Sequence, residues 1–365
     1  MAALEAEVRA ALSGVEDPDL HRSIVELGMV QGVAIDGGRV VVAVASPLPG
    51  EVARAELIRR ITDAAVPIQS VDRIDVDLRD MRDDELEALA KVLKGPDAAR
   101  VNPFVHSRTR VLAIASGKGG VGKSSITTNL SIALAQRGHK VAAVDADVWG
   151  FSMPRMLGVN APPGVIHDVI VPPEANGVRL ISMGFFASED QAVIWRGPML
   201  HKALEQFLTD VYWGEVDYLV IDMPPGTGDV SLSMAQFIPR AEVIVVTTPQ
   251  PAAQRVAQRA AAMAEKVDLD VIGVIENMSW FRGDDGTRYA LFGSGGGAEL
   301  AKQLEVPLLA QIPLVPALRE GGDDGHPIVV AHPDDEAAVA FRTIAERLDT
   351  ELTPKRIYRP ELKIN

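Results

Sequence analysis

The chain has 365 residues, 47% of them hydrophobic, and its 36 Lys+Arg against 50 Asp+Glu leave a net charge of −14. That length holds one large domain and a smaller one, and the acidic balance argues against a surface that coats nucleic acid or adheres to anionic lipid. With no cysteine, the chain by itself can form neither a disulfide nor a thiolate metal site.

Residues 1–94 predict a small α+β domain. Leu4–Leu12 has helical spacing, and Met29–Val33 and Arg39–Val44 are strand-type runs around an Asp36-Gly37-Gly38 turn. Glu51–Ala64 is an amphipathic helix pattern, Val71–Leu78 alternates as a half-exposed strand does, and Asp83–Val92 is a short acidic helix. Asp17 is expected as a helix cap and Glu26 as a solvated side chain, although either carboxylate could be functional. Met1–Leu12 lacks the basic-then-apolar pattern of a secretory leader. No apolar run reaches bilayer length, so the expectation is a cytoplasmic protein that binds neither membrane nor nucleic acid. Residues 95–105 are polar, contain proline and show no periodicity, which predicts a linker.

Residues 106–352 predict an α/β domain. Val111–Ala115 is a buried-strand run and Ile126–Ala135 has helical spacing. Between them stand Gly117, Lys118, Gly119, Gly120, Val121, Gly122, Lys123, Ser124 and Ser125, a full Gly-x-x-x-x-Gly-Lys-Ser pattern. Glycines let successive N–H groups curl around an anion, and the helix start adds unpaired N–H groups and partial positive charge. This predicts a P-loop that binds ATP, with Lys123 on the β- and γ-phosphates and the Ser124 hydroxyl on Mg²⁺.

Lys140–Asp145 is a second buried strand. Carboxylates at its C-terminal end sit where α/β folds bind ligands. Asp147 is placed to orient or activate the attacking water, and Asp145 to support the Mg²⁺ shell. Val193–Leu200 opens a helix expected to run to Tyr212, with Arg196 available for a phosphate, a partner subunit or a salt bridge. Tyr218–Asp222 is a third buried strand, and its terminal Asp222 reads as the Mg²⁺-holding aspartate. Gly226, with a free N–H and no side chain, can approach the γ-phosphate, and Asp229 caps the next helix. Strands over Ala241–Thr247, Val271–Asn277 and Pro307–Pro313 follow, with helices over Pro251–Val267, Ala298–Leu304 and Asp334–Leu348 and a loop over Ser279–Gly297. Residues 353–365 form a polar tail with two prolines, too short for a membrane-binding helix.

The loop's second lysine, Lys118, resembles that of the deviant-Walker-A class of MinD, ParA and the nitrogenase iron protein. That likeness implies a homodimer in which Lys118 reaches the partner's nucleotide. The stretches Asp145–Gly150, Trp195–Met199, Asp222–Asp229 and Glu276-Asn277-Met278-Ser279 narrow the resemblance to the Mrp/ApbC family of iron–sulfur cluster carrier ATPases. Val15–Leu20 and Ile24–Val30 resemble the small iron–sulfur-assembly domain often fused to them. The resemblance implies that Asn277 hydrogen-bonds the adenine, that Pro313 borders the base, and that iron–sulfur client or assembly proteins are partners. It also implies a cluster bound by Cys-x-x-Cys after Glu-Asn-Met-Ser. Here that place reads Gly283-Asp284-Asp285-Gly286, which predicts an exposed hairpin turn, and Glu51 stands where the small domain's cysteine is expected. The alternatives are a nucleotide-gated client-binding ATPase without its own cluster, and a MinD/ParA-like positioning ATPase.

Overall fold

The computed structural model describes residues 2–95, 102–105, 107–147, 150–186, 197–226, 229–352 and 354. Trp195 and Arg196, the Val148-Trp149 end of the Asp145 stretch, Thr227-Gly228, most of the linker and nearly all of the tail lie outside the described residues.

The N-terminal segment runs α1 (Ala2–Leu12), β1 (Val30–Asp36), β2 (Arg39–Ser46), α2 (Glu51–Ala65), β3 (Arg73–Asp80) and α3 (Asp83–Lys94). β1 and β2 pair antiparallel across the tight turn at Gly37, whose φ of 60° suits glycine. β2 and β3 pair parallel, with α2 as the crossover. Val40, Val42 and Val44 alternate inward along β2 and meet Val8 and Leu12 of α1 and Leu57 and Ile61 of α2 in one core. Asp17 caps a turn rather than a helix, accepting from the N–H groups of Asp19 (3.1 Å) and Leu20 (2.9 Å). Glu26 is exposed beside Arg22.

The chain continues through β4 (Arg110–Ser116), α4 (Lys123–Gln136), β5 (Val141–Asp145), α5 (Met153–Leu157), β6 (Gly164–Ile166), β7 (Val169–Val171), β8 (Glu174–Ala175), β9 (Val178–Ser182) and α6 (Gly197–Thr209). Then come β10 (Tyr218–Asp222), α7 (Asp229–Phe237), β11 (Glu242–Thr247), α8 (Pro251–Lys266), β12 (Asp270–Glu276), β13 (Phe281–Arg282), β14 (Arg288–Tyr289) and α9 (Gly296–Gln303). The last elements are β15 (Leu308–Gln311), α10 (Pro316–Asp324), α11 (Ile328–Ala331) and α12 (Glu336–Thr350). Eight strands form one sheet in the order β15-β12-β11-β4-β10-β5-β9-β8, parallel except for β8 at its edge. This is the mostly parallel α/β sheet that the short, continuous apolar runs predict. β4 has β10 on one side and β11 on the other, so the loop after β4 opens at the topological switch point. The apolar core around Leu112, Ile114, Leu130, Val220 and Phe341 packs β4, α4, β10 and α12 together.

The chain divides into two compact units, and the division is not a single cut. The smaller unit comprises residues 1–100 together with 163–172 and 210–214. The β6–β7 hairpin puts Ile166, Val169 and Val171 into the small unit's own core. Asp210–Tyr212 leaves the helical path expected for it because it pairs with that hairpin: Ile170 N–H donates to Asp210 O (3.0 Å) and Tyr212 N–H to Ile170 O (2.8 Å). Residues 102–105 belong to the larger unit. Phe104 is buried there, Asn102 Nδ2 donates to Phe237 O (2.9 Å), and Arg240 Nη2 donates to Phe104 O (2.7 Å). No described helix is long and apolar enough to cross a membrane.

Candidate functional site

Strand register assembles the site. Asp222, the last residue of β10, stands opposite Ile114 of β4 on one side and Asp145 of β5 on the other. Two carboxylates therefore end adjacent strands, both fully buried, directly below the loop that leaves β4. Gly122 closes that loop in the left-handed region (φ 82°) and starts α4. A Cβ there would stand 2.2 Å from Asn277 Nδ2, and one on Gly117 would stand 2.2 Å from the backbone of Val256. Gly122 is thus required by its conformation as well as by close approach, and Gly117 by close approach to the backbone of α8.

Lys123, at the start of α4, reaches down to Asp222. Its Nζ donates to Asp222 Oδ1 at 2.7 Å and stands 3.7 Å from Asp147 Oδ2. Ser124 Oγ donates to Asp222 Oδ2 (2.5 Å), and Thr127 Oγ1 to Asp222 Oδ1 (2.9 Å). Burial pushes the Asp222 carboxyl up, against the pull of Lys123. Burial first and the neighbouring Asp222 second push Asp145 up as well. Such a pair of carboxyls is poised to gain from a cation.

Asp145 is a positioning group for the segment that follows it. It accepts from Ser182 Oγ (3.0 Å) and from the N–H groups of Asp147 (3.2 Å), Ser152 (3.2 Å) and Met153 (3.3 Å). That holds Asp147 at the rim of a cleft of about 350 Å³ lined by the loop from Lys118 to Ser125, with Gly150, Ser152, Met156 and Pro225. Gly119 and Gly120 face open space there, and Ser125 Oγ lies 3.9 Å from Met156 Sδ. The Gly226 N–H is not free: it donates to Ser116 O at 2.9 Å. Lys118 is half-buried, and its Nζ donates to Gln250 Oε1 at 3.3 Å.

Asn277 and Pro313 lie outside the lining of that cleft. Asn277 is buried and donates from Nδ2 to Val121 O (2.8 Å), so it braces the loop from below. Its Oδ1 is buried without a protein partner, as is Thr248 Oγ1 on the neighbouring strand end. Buried polar atoms left so are costly, and an acceptor in this state suits an exocyclic amine such as that of adenine. Buried Pro313 follows β15, whose Gln311 pairs with Glu276. Sequence reasoning did not single out Gln250, Ser182 or Met156, because each meets a partner distant in the chain, nor Thr248, whose burial nothing local marks.

Glu276 ties down the segment after β12. Its Oε1 accepts from Ser279 Oγ (2.9 Å) and Gln311 Nε2 (2.7 Å), and its Oε2 accepts from the Gly297 N–H. Met278 between them holds φ 57°, a conformation few non-glycine residues take. The loop then forms the β13–β14 hairpin, with Gly283 N–H donating to Thr287 O (2.9 Å). Asp285 accepts from Thr287 N–H (2.9 Å), Thr287 Oγ1 (2.8 Å) and Tyr289 Oη (3.1 Å). Arg282 pairs with Glu336, and the Arg288 guanidinium stands 4.3 Å from the Trp280 ring centre. Asp285 is thus used by the turn itself, as the sequence pattern Gly-Asp-Asp-Gly predicts. No group of three or more metal-ligating side chains forms among the described residues.

A glycine loop between a parallel strand and a helix, with its lysine over a strand-end aspartate at the switch point, defines a P-loop NTPase. Residues 107–349 match the family described as NUBPL iron-transfer P-loop NTPase, and residues 5–76 match the iron–sulfur cluster assembly protein family. The chain is 45% identical over 356 residues to an iron–sulfur cluster carrier protein of Mycobacterium leprae, covering 95% of this chain and 93% of that one. Among solved structures it is similar to a nucleotide-binding protein of Archaeoglobus fulgidus in complex with ADP, at 30% identity and a TM-score of 0.54, covering 70% of this chain and 95% of that one. It is also similar to the cell division ATPase MinD of Pyrococcus furiosus, at 28% identity and a TM-score of 0.51, covering 66% and 98%. The chain belongs to the NUBPL iron-transfer P-loop NTPase family and is an ATPase.

Proposed function

We propose that this protein is a cytoplasmic, homodimeric, Mg²⁺-dependent ATPase that acts in iron–sulfur cluster assembly or transfer to client proteins. The observation that carries the reading is Lys123, Ser124 and Asp222 locked together under the P-loop with Asp147 at its rim. The hydroxyl of Ser124 and the carboxylate of Asp222 are the hard oxygen donors that Mg²⁺ takes, with Asp145 in support. Bound there, the ion would offset charge on the β- and γ-phosphates.

The loop N–H groups cradle the phosphates and Lys123 leaves Asp222 to contact them. Asp147 orients the attacking water and accepts its proton as the water oxygen bonds to the γ-phosphorus and the bond from that phosphorus to the β–γ bridging oxygen breaks, so that ADP leaves with the bridging oxygen. Lys118 of the second copy offsets the charge that develops on the transferred group. Asn277 accepts from the adenine amine through Oδ1, and Pro313 borders the base. Gly226 reaches the γ-phosphate only by giving up Ser116 O, which makes that bond the switch between the two states.

The cluster is the cargo, and the residues of this chain do not fit it. Iron–sulfur clusters need soft thiolates, the chain has no cysteine, and Asp285 is spent on its own turn. Cluster ligands therefore come from a client or assembly partner. The hairpin also favours a second reading, a nucleotide-gated ATPase that binds clients and never holds a cluster.

Two experiments test these readings. Lys118→Ala should keep nucleotide affinity within a few fold and lose most hydrolysis. Mixing it with Asp147→Ala should restore some activity, because one site of the mixed dimer then has both groups. No recovery in proven heterodimers rules out action across the dimer. Anaerobic reconstitution with iron and sulfide should leave the pure protein colourless and give cluster absorbance only with a thiol-bearing partner. Failure with every partner selects the second reading, in which Asp147→Ala traps clients without affecting cluster enzymes.

A further inference from the structure

β11 and β4 leave the sheet side by side, with Val246 opposite Ser116. The segment from Thr247 to Gln250 therefore starts beside the P-loop from Gly117 onward. Gln250 is the N-cap of α8, and its carbonyl accepts from the N–H groups of Ala253 (3.0 Å) and Gln254 (3.3 Å). That fixes its backbone and leaves its side chain to meet Lys118 Nζ at 3.3 Å. On the loop side, Ser116 Oγ holds Lys118 O at 3.0 Å. Gly117 lies so close to α8 that a Cβ would meet the Val256 backbone. Gly296, at the start of α9, has the same relation to Pro249 O and Gln254 Nε2. Gly117 and the start of α9 are thus packed closely on α8, and Gln250 touches the Lys118 ammonium.

We propose that Gln250 is a positioning residue for the ATPase reaction, holding the Lys118 ammonium until a phosphoryl group takes it. This rests on the proposed action of Lys118 on phosphate. The choice of an amide matters. A neutral amide oxygen attracts an ammonium only through its dipole, whereas a phosphoryl oxygen brings the opposite charge as well and holds it more strongly. Lys118 therefore leaves Gln250 when phosphate arrives. A carboxylate at the same place would compete with phosphate as an equal and keep the lysine. Gln250 so keeps a long side chain extended near its working place, at the cost of a bond weak enough to break.

The test uses the full chain, with two readouts. Without nucleotide, acetylation of each lysine by an acetylating reagent is followed by mass spectrometry. Relative to the other lysines, Lys118 should react at least threefold faster in Gln250→Ala and at least threefold slower in Gln250→Glu. In steady-state hydrolysis, Gln250→Glu should lower kcat at least tenfold with KM for ATP within twofold, because the lysine is withheld from the transition state and not from the bound nucleotide. Unchanged Lys118 labelling in both variants overturns the proposal, as does a Gln250→Glu enzyme with wild-type kcat. If labelling shifts as expected while Lys118→Ala hydrolyses normally, the hold by Gln250 stands and the assigned role of Lys118 falls. If Lys118→Ala is inactive and labelling does not move, the reverse holds.

Discussion

Lys123 has two partners to serve. In the proposed reading it is the phosphate ligand that ATP binding needs, and in the structure it is the ion-pair partner of a fully buried Asp222. Breaking a buried pair by removing one side strands the other charge, at a cost of about 3 kcal/mol or more. Lys123→Ala should therefore lose ATP binding by calorimetry and lower the thermal midpoint as well. Lys123→Ala with Asp222→Asn should regain most of the midpoint and none of the binding. If the double variant melts no higher than the single one, Asp222 does not depend on Lys123. The loop and its place between strand and helix were legible in the sequence because a strand, a glycine run and a helix are contiguous there. Gln250 was not, because its partner lies across two neighbouring strands and nothing local marks a glutamine as a hydrogen-bond acceptor for Lys118.

Short elements carry much of what separates this chain from its family pattern. The β13–β14 hairpin closes on itself through Asp285, while Asp284 is exposed. Asp284→Ala with Asp285→Ala should leave metal content and ATPase rate unchanged and should raise amide exchange only around the turn. A drop in bound iron or in turnover would make these carboxylates functional. At the start of α3, Arg79 chiefly, then the Arg82 N–H at 2.8 Å, hold the Glu85 carboxyl down to about 2. A folded value below the ordinary one means that ionised Glu85 adds stability above about pH 4.5 and loses it as pH falls toward 2. The gap in unfolding midpoint between wild type and Glu85→Gln should thus be largest near pH 6 and close at the acid end. A gap that does not vary with pH contradicts this. The turn at 283–286 was legible from its residue types, whereas β6 and β7 were not. Each has three residues, set among Pro162, Pro163, Pro172 and Pro173, and strands that short are defined by what they pack on rather than by their own pattern.

At the scale of the whole molecule, the predicted end of the small domain near residue 94 leaves out part of its core. Ile166 is fully buried among residues of the N-terminal segment. Truncating it to alanine should cost the small unit about 3 kcal/mol, read as an early urea transition with the ATPase rate retained. A fragment ending at Lys94 lacks Ile166, Val169 and Val171 and should be markedly less stable than the same residues in the full chain. Equal stability would show that the hairpin is incidental. The backbone passes between the two units five times, after Arg100, Pro162, Pro172, Thr209 and Gly214. Most two-domain chains are beads on a string and can be cut apart, shuffled or fused elsewhere. This one is sewn: an engineered protease site in the first crossing should yield two bands on a denaturing gel and one species on a sizing column, and a deletion at that boundary leaves a torn seam in the part that remains.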